Sequence, residues 1–96
     1  MKSLTIVIPA LNEEKNIALT IEEILPVARE VLDEFEILVV NDGSEDKTGE
    51  IIESIAKTNS EVNPIHHKTR QGVGQAFREG INNGQHPYLT IIPGDN

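Results

Sequence analysis

Four short segments hold the residues that could do chemistry, and each follows a strand-like run. The first, Pro9-Ala10-Leu11-Asn12-Glu13-Glu14, offers the Glu13 carboxylate and the backbone of Pro9 and Ala10 to a ligand such as a nucleoside. By its chemistry alone it reads more readily as a strand end, a helix cap at Asn12 and glutamates that complement a helix dipole. The second, Asn41-Asp42-Gly43-Ser44-Glu45-Asp46, puts Asp42 directly after a strand. A carboxylate there can accept hydrogen bonds from a base or ribose. The plain alternative is an Asn-Asp-Gly turn feeding a cap at Ser44 or Asp46.

The third segment, Lys68-Thr69-Arg70-Gln71-Gly72-Val73-Gly74, sets cations and glycines at a helix start. That pattern suits an anion, because glycine lets backbone amides approach a phosphate. Arg70 and Gly72 are its candidates, although a solvated turn would look the same and no GxGxxG is present. The fourth, Pro93-Gly94-Asp95-Asn96, puts Asp95 where a divalent cation bridging a diphosphate could be held, by one carboxylate only. His66 and His67 are strand neighbours facing opposite ways, so both are read as structural rather than as joint metal ligands.

The elements that must position these turns are strands near Leu4–Ile8, Glu36–Val40, Val62–His66 and Tyr88–Ile92. The first, second and fourth are continuous aliphatic runs, as in strands covered on both faces. Helical patterns lie between them. Asn12 is expected to cap the first, whose Ile17, Ile21, Ile24 and Leu25 keep one face apolar before Pro26 breaks or kinks it. The second spans about Lys47 to Lys57, with Ile51, Ile52 and Ile55 inward. The third spans about Gly72 to Asn82, with Val73, Ala76, Phe77, Gly80 and Ile81 along its apolar side and Asn83-Gly84 as its C-cap. Strict strand–helix alternation implies right-handed crossovers, a mainly parallel sheet of about four strands and a Rossmann-like three-layer α/β/α fold. In such a sheet all four turns collect at one rim, where ligands bind.

Composition narrows the partners. The net charge is −8 over 96 residues, which opposes a nucleic-acid surface built on clustered Lys and Arg. With no cysteine, disulfides and thiolate metal sites are excluded. No run approaches the roughly 18 apolar residues of a membrane span. The N-terminal apolar stretch is too short for a signal peptide. A cytoplasmic location is expected.

IVIPALNEEKNI, then ILVVNDGSEDKT, then GVGQAFREGI resemble the nucleotide-binding half of family 2 glycosyltransferases, inverting enzymes of the GT-A fold. The resemblance covers nearly the whole chain, and NDGSEDKT is its strongest piece. It implies that Pro9, Asn12 and Glu13 lie along a nucleoside, that Asp42 contacts a uracil or guanine base, and that Arg70 and Gly72 approach the nucleotide. Asp95 matches the second aspartate of the DxD motif that holds a divalent metal, Mg²⁺ or Mn²⁺, with the sugar diphosphate. Pro93 stands where the first DxD aspartate would be, a departure that leaves the metal to Asp95 and residues outside this chain.

On this reading residues 1–96 form one domain, the N-terminal nucleotide-sugar-binding part of a longer, truncated-here GT-A enzyme. The intact enzyme would transfer a sugar from a UDP- or GDP-linked donor to an acceptor hydroxyl with inversion. No catalytic residue is assigned, because nothing matches the family's general base or acceptor segments; the piece alone is expected to be inactive and prone to self-association. Membrane association belongs, if anywhere, to the longer protein. The alternative is a non-catalytic Rossmann-like module binding a nucleotide or metabolite. A response-regulator-like domain fits less well, since His66-His67-Lys68 stands where a phosphoacceptor aspartate is needed.

Overall fold

Strands and helices alternate along the chain in the computed structural model, which describes residues 2–86 and 89–92. They are β1 (Ser3–Ala10), α1 (Ile17–Val31), β2 (Glu34–Asp42), α2 (Thr48–Thr58), β3 (Val62–His67), α3 (Val73–Asn83) and β4 (Leu89–Ile91). The sheet order is β3-β2-β1-β4. Every pairing is parallel, with Val7 opposite Leu38 and Ile91, and Asp42 opposite His67. Strand order therefore reverses between β1 and β4, the kind of switch point where doubly wound sheets open a crevice.

Burial explains the aliphatic runs. β1 and β2 are the inner strands, and Val7, Ile8, Ile37, Val39 and Val40 are fully buried. Ile6, Ile8, Ile37, Val39 and Val62 pack with Ile17, Ile21, Leu25 and Ile52 of α1 and α2 on one face. Val7, Leu38 and Val40 pack with Ala76 of α3 on the other. Three layers result, as the alternation implied. Truncating Ile8 or Ile37 to Ala would cost about 2–5 kcal/mol by the general rule for buried aliphatics. Pro64 is tolerated in β3 because β3 is an edge strand.

Several local expectations are corrected. Asn12 is not the cap of α1: the helix starts at Ile17, and Asn16 precedes it without a side-chain cap bond. Asn12 instead takes a positive φ of 53°. Pro26 does not break α1, which runs through it to Val31. Pro26 is exposed, so the carbonyl deprived of its amide partner can be solvated. Gly84 does close α3, donating its N–H to the Gly80 carbonyl at 2.9 Å, but with φ −66° rather than a left-handed turn.

The third helix also meets the sheet differently. A Cβ on Gly80 would lie 2.5 Å from Val7 Cγ2, so α3 rides close over β1 on its small residues, Ala76 and Gly80. Val73, Phe77 and Ile81 are consequently turned outward, 61%, 42% and 61% exposed.

Candidate functional site

Because all the pairings are parallel, the turns after β1, β2 and β3 lie on one rim. Hydrogen bonds bind the first two together. The Asn12 N–H donates to Ser44 Oγ at 3.0 Å, and the Glu45 N–H donates to Asn12 Oδ1 at 2.9 Å. The Glu13 N–H donates to Thr48 Oγ1 at 2.8 Å, and the Glu14 N–H to Asp46 Oδ2 at 3.2 Å. Asp46 also accepts the Thr48 N–H at 2.9 Å, but it is not the expected cap: Lys47 holds the N-cap position of α2, without a side-chain cap bond. Burial would raise the Asp46 pKa, but the Thr48 hydroxyl and the Thr48 and Glu14 amides outweigh it and hold the carboxyl below its usual range.

The second and third turns are joined through Asp42, which is buried. Its carboxylate accepts the Gln71 N–H at 2.7 Å and the Gly72 N–H at 2.9 Å. His67 Nδ1 lies 2.9 Å from Asp42 Oδ1, and His67 Nε2 lies 2.8 Å from Glu79 Oε1 on α3. Burial alone would raise the Asp42 pKa, but the hydrogen bonds from His67, Gln71 and Gly72 and the His67 charge lower it. Burial would likewise lower the His67 pKa, but hydrogen bonds to Asp42 and Glu79, with their charges, raise it. The backbones of these turns also touch: Gly43 has φ +74°, and a Cβ there would sit 2.6 Å from the Arg70 amide nitrogen. Gly72 has φ +92° with open space where a Cβ would be.

Between the three turns lies a cleft of about 420 Å³, lined by Leu11, Asn12, Gly43, Ser44, Glu45, Lys68, Thr69 and Arg70. That volume falls within the range of small-molecule sites. One wall carries the exposed cations Lys68 and Arg70, the other the polar groups of Asn12, Ser44 and Glu45. Such a cleft can hold a polar, anionic ligand.

The sequence-derived residues thus divide. Asn12 and Arg70 line the cleft, and Gly72 adjoins it through the amide held by Asp42. Asp42 lies beneath, with three of a carboxylate's roughly four acceptor positions in use. Glu13 is half-buried, and its main chain anchors the first turn to Thr48. Val7 bonds β4 through its carbonyl, so Pro9, two residues on, presents the same edge toward β4 and brings no N–H to the reversal of strand order. Asp95 and Pro93 lie outside the described residues. Among the described residues no group of three or more His, Cys, Asp or Glu could hold a metal ion. Among them, too, no helix is long and apolar enough to cross a membrane. Thr48 and Glu79 were not singled out by sequence, Ser44 was read there only as a possible cap, and His67 only as structural. The one available signal was positional, since Asp42 and His67 end adjacent strands.

Comparison with known proteins adds independent findings. A family model described as Glycosyl transferase family 2 matches residues 5–96. Glycosyltransferase GlyG of Streptococcus pneumoniae serotype 4 is 30% identical over 93 residues, covering 97% of this chain and 30% of that protein. The chain thus spans about a third of such a relative's length. The mannosyltransferase PcManGT from Pyrobaculum calidifontis, solved with GDP-Man and Mn²⁺, superposes with a TM-score of 0.81 at 21% identity, over 96% of this chain and 27% of that one. Staphylococcus aureus TarS 1-349 in complex with UDP-GlcNAc gives a TM-score of 0.78 at 25% identity, over 99% of this chain and 27% of that one. The four-stranded parallel sheet is the arrangement these GT-A glycosyltransferases share.

Proposed function

The chain belongs to glycosyl transferase family 2, and we propose that its rim cleft binds the nucleotide of a nucleoside-diphosphate sugar. One observation carries the reading: three turns after parallel strands are bonded into a single cleft walled by Lys68 and Arg70. Asn12 and Pro9 flank the nucleoside in this proposal, and Glu13 approaches the ribose or base. Asp42 keeps one acceptor position for the polar edge of a uracil or guanine, while Arg70 and the Gly72 backbone serve the nucleotide. The donor is UDP- or GDP-linked, in keeping with the bound molecules named for TarS and PcManGT.

Residues 1–96 act here as the N-terminal donor-binding domain of a longer enzyme that passes the sugar to an acceptor hydroxyl with inversion. A divalent cation, Mg²⁺ or Mn²⁺, would be held through Asp95, and the Mn²⁺ named for PcManGT supports one. When bound, it would neutralise diphosphate charge. The described residues supply no cluster for it, so no step is assigned to it. Its donors are charged and membrane-impermeant and arise from nucleoside triphosphates, which favours a cytoplasmic active side, with or without membrane attachment of the longer protein. Exposed Val73, Phe77 and Ile81 favour self-association of the 96-residue chain.

Thermal unfolding tests the reading. UDP or GDP with Mg²⁺ or Mn²⁺ should raise the melting temperature as a ligand of the native state does. Absence of a rise with both nucleotides would defeat it.

A further inference from the structure

Two adjacent histidines end β3 and meet opposite demands. Asn41 accepts the Ser44 N–H through Oδ1, which leaves its amide nitrogen as donor to His66 Nδ1 at 3.0 Å. His66 Nε2 then carries its proton toward Glu53 Oε2, 2.6 Å away. One ring proton satisfies His66. At His67 both ring nitrogens face carboxylate oxygens, Asp42 at 2.9 Å and Glu79 at 2.8 Å. Carboxylates only accept, so both contacts are good hydrogen bonds only when the ring carries two protons.

The surroundings reinforce that requirement. The His67 side chain is 5% exposed. The charged groups bonded to it are Asp42 from β2 and Glu79 from α3; on its own strand His66 faces the other way, and Lys68 and Arg70 in the next turn are exposed. Asn83 Nδ2 donates to Glu79 Oε2 at 3.1 Å, fixing the far end of the bridge. Asp42 in turn grips the amides of Gln71 and Gly72 beside the cleft.

We propose that His67 is a positioning residue for the donor cleft: doubly protonated, it ties Asp42 to Glu79 and fixes the Arg70–Gly72 turn, and loss of one proton loosens that turn and weakens nucleotide binding. This rests on the nucleotide-sugar reading above. The sign follows from the shifts. His67 has a raised pKa, so its contribution is complete below the ordinary histidine value and is lost as pH rises through the folded one. Asp42 has a lowered pKa, so its contribution is present above the ordinary carboxylate value and is lost as pH falls through the folded one. The bridge is therefore intact on the mildly acidic side and fails on the alkaline side.

The test is calorimetric binding of UDP-glucose and GDP-mannose with Mg²⁺ to the 96-residue chain between about pH 6 and about pH 8. Sugar diphosphates have no phosphate group titrating in that window, so the protein alone sets the slope. Kd should rise about threefold to tenfold toward the alkaline end. The Gln71 and Gly72 amide resonances should shift with the same midpoint. His67→Gln should give weaker binding and a flat pH profile. Should that variant not fold, Glu79→Gln should move the wild-type midpoint to lower pH. A flat wild-type profile, or an unchanged slope in a folded variant, would overturn the proposal while leaving nucleotide binding intact. Failure of both donors to bind at any pH would remove the nucleotide-sugar reading, and this one with it.

Discussion

Glu36 and Asp42 stand on the same face of β2 and hold α3 at its two ends. Asp42, at the ligand rim, accepts the amides of Gln71 and Gly72 before the helix. Glu36, at the opposite rim, is 3% exposed and accepts the Gln85 N–H after it. Glu36 also accepts Thr5 Oγ1–H at 2.9 Å and Asn63 Nδ2–H at 3.1 Å, so all its named donors are neutral. Asp42 shares its histidine with a second carboxylate. The distal carboxylate is thus met by neutral donors, while the proximal one is met by a titratable ring as well as by amides. The comparison separates the clamp beyond the helix from the one that borders the cleft.

Asp42→Ala should break the comparison most severely. It strips the third turn of its anchor and leaves two amides without their acceptor, so the nucleotide-dependent rise in melting temperature should vanish, with stability lowered by about 2–4 kcal/mol. An unchanged nucleotide shift would remove Asp42 from the site. Glu36→Ala should lower unfolding free energy by about 2–3 kcal/mol in urea titrations, since three donors lose one acceptor group. Nucleotide Kd should stay at the wild-type value; a weakened Kd would show that the two clamps are not separable. Asp46→Ala is the mildest change. It loses the bonds to Thr48 and to the Glu14 amide, costing about 1 kcal/mol in chemical denaturation, with a small loss of affinity because only one of the stitches between the first two turns is cut.

The strands, their direction and the gathering of turns at one rim were legible because buried parallel strands need aliphatic runs and alternation with helices leaves few topologies. The partners of the turn residues were not. Asn12 has the composition of a helix cap, yet its role depends on Ser44 and Glu45, which are distant in sequence and meet it only when the sheet forms. Periodicity showed that α3 has an apolar side; it could not show that the space over Val7 admits only Ala76 and Gly80, turning Val73 and Phe77 outward. Strand parity placed His67 and His66 on opposite faces correctly. What each would meet there required the register that sets His67 beside Asp42.

The abutment of Gly43 on the Thr69–Arg70 main chain has a bearing on ligand preference. The spacing of the two walls there is set by peptide units in direct contact, and no side chain acts as a spacer. Exchanges at Asn12 or Arg70 can therefore alter the chemistry that lines the cleft while its gauge stays constant. A methyl group at position 43 would do the reverse, prying the walls apart while leaving every lining functional group in place.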